Sequence, residues 1–245
     1  MNLLKIYTLA THEPDTFLVY WTNSTLRPKG LLRVRITAQV DDRNIVAELA
    51  AMQHLLEDKG VIGNSVIGNP NVKLVVSLGA IRKLHRMQSD KAHLAPYANF
   101  LTTRFADCPI TADKDTRWFN GYPLESAENL LVSAPRAETL LVAGFGAVGI
   151  TNHVLERIAE RFLSEAERSA QAAWKMLRDV VADTSVREVA RNSAITTAKY
   201  AQEGRYFLNA RRNLVLVVTN KPGEGKKLVT AYPPDNKFHE LARAA

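Results

Sequence analysis

The chain is poor in sulphur and has no long apolar run. Cys108 is the one cysteine among 245 residues. That excludes an intrachain disulfide and any zinc site built on several cysteines. A reducing cytoplasm is the expected setting. No apolar stretch approaches the roughly 20 residues that span a bilayer, so no membrane partner is expected. The opening residues, MNLLKIYTLATHEPD, meet acids too early for a signal peptide and offer no small-residue cleavage site. Histidines are few and scattered: His12, His54, His85, His93, His153 and His239. None has HxxxH or HExxH spacing, and neither a P-loop nor a Ser-His-Asp signature is visible. A catalytic thiol at Cys108 would need a nearby histidine, and the sequence offers none. Internal repeats and low-complexity segments are also missing, and no cofactor is implied.

What is present is charge, unevenly placed. Of 32 Lys/Arg and 25 Asp/Glu, residues 185–245 hold 11 and 5, which leaves 21 and 20 for residues 1–184. The C-terminal quarter therefore carries most of the net +7. A local excess of this kind attracts polyanions, of which nucleic acid is the commonest.

The apolar pattern predicts an α/β (α+β) chain. Strands are expected at 3–9, 16–21 and 31–40. The third alternates Val34, Ile36 and Ala38 against Arg33, Arg35 and Thr37, so one of its faces is solvated. A helix over 43–58 carries a stripe of Ile45, Leu49, Met52, Leu55 and Leu56, with Asp42 as the expected N-cap and Gly60 as the stop. A strand over 72–77 and a short helix near 78–88 follow. Residues 89–137, rich in proline, read as an insertion. Strand 139–143 precedes GFGAVG, and a helical pattern then runs over 151–182. A helix over 186–203 leads to strands at 205–210, 213–220 and 227–234, the last two forming a hairpin around KPGEGK.

The order β-β-β-α-β-α-β-α over about residues 1–165, with Glu48 on the first helix, resembles the ribonuclease H-like superfamily. That resemblance implies several carboxylates holding two metal ions. Here Thr8 or Leu9 stands where the first-strand acid belongs, and Ser77 or Gly79 where the fourth-strand acid belongs. Glu48 and Glu156 remain as a vestigial acid site. The resemblance thus implies a nuclease scaffold with its acids mostly lost and no metal bound. The expected organisation is a first domain over 1–165, a bridging helix over 166–184 and a basic α+β domain over 185–245.

GFGAVG fits the G-x-G-x-x-G spacing at Gly144, Gly146 and Gly149. With a strand before and a helix after, its amides could approach a pyrophosphate. No acid-tipped second strand follows, so a glycine loop before the helix is the favoured reading and nucleotide binding the alternative.

In the last domain Arg205, Arg211, Arg212, Lys221, Lys226, Lys227 and Lys237 lie among Tyr200, Tyr206, Phe207, Tyr232 and Phe238. Cations neutralise phosphates and exposed aromatics stack on unpaired bases. The pattern NLVLVVTN…KLVTAYP resembles the closing strands of barnase- and EndoU-type ribonuclease toxins, which implies a metal-independent RNA endonuclease around Lys199, Arg211, Thr230 and Tyr232 as the rival reading. The only histidine here, His239, lies beyond the hairpin, and the acids are Glu188 and Glu203, a weak acid–base set. Two nuclease-like parts without their chemistry are similar to RNA-binding proteins of nucleus-forming jumbo phages. The expectation is a non-catalytic binder of single-stranded RNA or mRNA, cytoplasmic (in the bacterial host, if phage-encoded), with self-association left open.

Overall fold

A computed structural model describes residues 2–24, 28–62, 72–119, 123–142, 145–189, 204–221 and 225–234. The fold is mixed α+β and divides into two units, Met1–Arg136 and Ala137–Ala245. Each unit holds one six-stranded mixed sheet.

In the first unit, β1 (Asn2–Ala10), β2 (Thr16–Asn23) and β3 (Lys29–Ile36) form an antiparallel meander. The alternation read in β3 holds: Leu32, Val34 and Ile36 are buried, Arg33 and Arg35 exposed. Helix α1 (Arg43–Gln53) follows. Its Leu49 and Met52, with Leu55 just beyond, have no exposed surface, and neither do Leu4, Val19 and Val34 of the sheet. Each such fully buried side chain contributes about 1.5–3 kcal/mol, which fixes the helix on this face. Asp42 precedes the helix but caps nothing with its side chain. It pairs instead with Lys91 at 2.7 Å and His93 at 3.3 Å. The helix ends in a π-turn, His54–Asp58, in which the Lys59 amide reaches the His54 carbonyl at 3.0 Å.

Strand β4 (Val72–Val76) returns parallel to β1 and leads into α2 (Gly79–His85). The segment expected to be an insertion completes the sheet. It supplies α3 (Asn99–Thr102), β5 (Ile110–Ala112) beside β4, and β6 (Glu128–Val132) beside β3. The order is β5-β4-β1-β2-β3-β6.

The second unit begins earlier than expected, because β7 (Thr139–Val142), β8 (Gly146–Ile150) and α4 (Asn152–Phe162) all belong to the second sheet or pack on it. The helix expected over 151–182 is two helices. Ser164 and Glu167 form a capping box, and the Ser169 hydroxyl accepts from the Ala172 amide at 3.1 Å to start α5 (Ala170–Ala182). These start signals interrupt the helix. Helix α5 packs on α4 and β7 within this unit rather than bridging two domains. Where a helix was expected from 186, β9 (Arg187–Val189) pairs with β10 (Gly204–Asn209). The remainder of that expected helix, with Lys199, Tyr200 and Glu203, lies outside the described residues. Strands β11 (Leu214–Lys221) and β12 (Gly225–Tyr232) form the expected hairpin. The order is β7-β8-β12-β11-β10-β9, with β8 and β12 parallel. Among the described residues no helix is long and apolar enough to cross a membrane.

Candidate nucleic-acid interface

The acid pocket of the first unit forms at the tips of two strands and on the helix that covers them. Glu48 has no exposed surface. The Ser77 amide donates to its Oε1 at 2.6 Å, and the Ser77 hydroxyl donates to its Oε2. The Thr8 amide donates to Ser77 Oγ at 3.3 Å. Of the strand-tip positions read from the pattern, Thr8 and Ser77 thus meet each other and Glu48. Burial pushes the Glu48 carboxyl above the usual carboxylate range, while the hydrogen bonds from Ser77 pull it down. A sealed carboxylate already engaged at both oxygens holds β1, β4 and α1 together. Among the described residues no cluster of three or more His, Cys, Asp or Glu is placed to hold a metal ion. Glu156 sits on α4 in the other unit, half exposed, with His153 at 3.7 Å.

Cys108 is buried, and that burial raises its thiol pKa to about 11, so it stays a protonated core residue. A polar cluster not singled out in the sequence surrounds His54. Its Nδ1 meets Asp58 at 2.9 Å and its Nε2 meets Glu128 at 3.3 Å. Arg136 reaches Asp58 at 2.7 Å and Lys59 reaches Glu128 at 2.7 Å. Burial lifts Asp58, but hydrogen bonds from Arg136 and His54 outweigh it and hold the carboxyl below its ordinary range. A carboxylate thus faces each ring nitrogen of His54. The cluster is a clasp between the π-turn and β6.

The glycine motif does not open a helix. Gly146 and Gly149 lie in β8, paired with Val142 and Thr139 of β7, and Gly144 lies outside the described residues. Gly146 has φ 94°, which suits glycine at the start of the strand. A Cβ on Gly149 would come within 3.4 Å of the Lys226 carbonyl, so glycine there permits close approach of β12. The Gly146 and Gly149 amides are thus in a sheet.

The strand register divides the basic cluster. Arg205 pairs with Val218, Lys227 with Thr219, Lys226 with Asn220 and Lys221 with Gly225, so four cations share one end of the sheet. Arg211 and Arg212 stand in the β10–β11 turn at the opposite end, roughly 17 Å away at about 3.3 Å per residue. There Arg211 faces Asp183 at 3.7 Å and Arg212 faces Asp179 at 3.9 Å. Tyr232 pairs with Val215 near that second end and packs, half-buried, on Tyr206, Val215 and Val217. That position makes it more a core residue than a stacking platform. Thr230 is buried within the sheet. Lys237, Phe238 and His239 lie outside the described residues.

At the first end the β7–β8 turn carries Phe145 against Phe207, with ring centroids 5.1 Å apart. The Arg205 guanidinium lies 4.4 Å from the Phe145 centroid, and Lys226 Nζ lies 4.2 Å from it. Lys226 also donates to the Phe145 carbonyl at 2.9 Å. Arg205 forms a forked ion pair with Glu188, which raises the arginine pKa and lowers the glutamate's. Two exposed cations thus share one aromatic ring, and Arg205 alone faces a carboxylate, leaving the Lys226 charge over at a pre-positioned site. The β7–β8 turn is the contributor that sequence reading missed. Its signal was Phe145 within the glycine motif.

Comparison with known proteins returns no match: no family model, no curated sequence and no solved structure.

Proposed function

We propose that the chain is a non-catalytic RNA-binding protein that grips single-stranded RNA through phosphate contacts with little sequence preference. The observation that carries this reading is the Arg205–Phe145–Lys226 stack at the sheet end that also holds Lys221 and Lys227. Positioned cations neutralise phosphates without reading bases, and their held geometry lowers the cost of ordering them on binding. Arg211 and Arg212 form a separate, acid-paired group that contributes less.

A ribonuclease H-like ancestry for the first unit is part of the proposal. It is supported by the strand and helix order through β4 and α2, and by the meeting of Thr8, Ser77 and Glu48. A carboxylate enclosed by hydroxyls favours binding over metal-assisted cleavage. The metal-independent endonuclease remains the rival. It draws on Thr230, which is buried, and on Arg211, which stands near Tyr232 at the far end of the sheet.

The test follows the fluorescence anisotropy of an end-labelled single-stranded RNA over time, with Mg²⁺ and again in EDTA. A rise that holds, and weakens with salt, is expected. A rise followed by decay below the free-RNA value would make the chain a nuclease and end this reading.

A further inference from the structure

The two sheets end in four edge strands, and three of them meet charge. Strand β5 spans three residues and runs straight into Asp113, which pairs with Lys5 at 2.8 Å. Strand β6 opens on Glu128, held by His54 and Lys59. Strand β9 carries Arg187 and Glu188, the latter forked to Arg205. Charge and shortness both discourage an edge from taking a further strand. Strand β7 reads Thr139-Leu140-Leu141-Val142 and holds no charged residue. Glu138, just before it, is buried, while Leu141 is 75% exposed.

The backbone of β7 fixes which groups are open. The Ile150 amide donates to the Glu138 carbonyl at 2.7 Å, so Glu138 faces β8. In an antiparallel ladder, residues that bond one neighbour alternate with residues that bond the other. Leu140 and Val142 therefore face β8, and Thr139 and Leu141 turn their N–H and C=O groups to the open edge. Open groups two residues apart on one strand are self-complementary. A second copy run antiparallel sets Thr139 against the partner's Leu141, and Leu141 against the partner's Thr139, each pair exchanging both backbone hydrogen bonds. The two-fold axis then passes at Leu140. That side chain, half-buried beside the buried Val148, would meet its own counterpart and carry the apolar layer across the axis.

Charge permits this occupant and disfavours nucleic acid. An edge without cations offers a phosphate backbone nothing to hold. A neutral strand set against its own copy brings no like charges together. The nearest cation along the row is Lys227, which pairs with Gly149, itself paired with Thr139. At about 4.8 Å per strand the Lys227 residues of two copies would stand roughly 24 Å apart, well beyond the screening length of about 8 Å. We infer that β7 is a dimerisation edge, which pairs antiparallel with β7 of a second copy and joins the two six-stranded sheets edge to edge.

The test is sedimentation equilibrium of the full chain without RNA, from about 5 to about 500 µM. A short edge makes a small interface, so a reversible dimer with Kd on the order of 100 µM is expected. Leu141→Lys puts a charge on the open edge and should weaken the dimer about tenfold or more at an unchanged melting temperature. Leu141→Pro removes an amide that β8 does not use and should act alike. Leu131→Lys, at the exposed leucine of the first sheet, should leave the dimer intact. Hydrogen exchange should show the Thr139 and Leu141 amides gaining protection as concentration rises. The inference is overturned if both Leu141 variants dimerise like the parent, if Leu131→Lys breaks the dimer while they do not, or if those amides exchange equally fast throughout. A chain that stays monomeric over the whole range would overturn it too, and leave the edge to a strand of another protein.

Discussion

The two sheets treat charge in opposite ways. The first seals one carboxylate, Glu48, beneath α1 and holds it with Ser77. The second displays Arg205 and Lys226 over a ring at its edge. A sealed charge costs desolvation and returns geometry, so it can organise a fold but reaches no ligand. A displayed, seated charge costs little and remains open to a phosphate. The contrast separates structural from functional charge within one chain, and five variants probe it.

The largest effect is expected at the sealed end. Glu48→Ala leaves the Ser77 amide unpaired and a cavity between β1, β4 and α1, and should cost about 3 kcal/mol of stability in urea unfolding. Glu48→Gln keeps the shape and should fall within about 1 kcal/mol of the parent. Because the folded state raises this carboxyl's pKa, its stabilising contribution is complete below the ordinary glutamate range and is lost as pH rises toward the raised value. The Gln variant should therefore gain on the parent with rising pH. A difference that stays flat with pH would show that Glu48 is not sealed.

At the displayed end, Lys226→Glu with Lys227→Glu should weaken single-stranded RNA binding. The log–log salt slope should fall by about 0.7 for each phosphate that is no longer neutralised. An unchanged slope would move the interface elsewhere. Next comes Phe145→Leu. It keeps an apolar side chain but removes the seat of both cations, and should lower RNA affinity about fivefold with a stability change under about 1.5 kcal/mol. If affinity holds, the ring is packing only. The smallest effect belongs to Arg211→Glu with Arg212→Glu, about twofold or less in affinity, since both arginines sit at the far end beside Asp183 and Asp179. A loss equal to that of the lysine pair would dissolve the distinction between the two ends.

Much of this contrast was legible in the sequence, at particular places. The meander and α1 announce themselves through period-2 and helical alternation, and counting along the strands narrowed their tips to Thr8 or Leu9 and Ser77 or Gly79, of which Thr8 and Ser77 meet in the structure. Strands β5 and β6 escaped notice because three and five residues carry too little periodicity among the prolines around them. The helix break at 163–169 was hidden by an apolar rhythm that continues through it, although Ser164 and Ser169 are ordinary start signals. GFGAVG misled because the same glycines serve a strand start and a close strand approach. The basic cluster looked single because Arg205 and Arg211 are near in sequence, while an extended strand sets them far apart in space.

The π-turn at His54–Asp58 makes this stretch sensitive to where its length changes. A wide turn amounts to one residue more than the ordinary helical phase needs, so one residue removed inside it would let the helix close and keep the later side chains in phase. A residue gained or lost in α1 ahead of the turn would instead swing every later side chain by about 100°. His54 and Lys59 would then both leave Glu128, and β6 would be unhooked from α1.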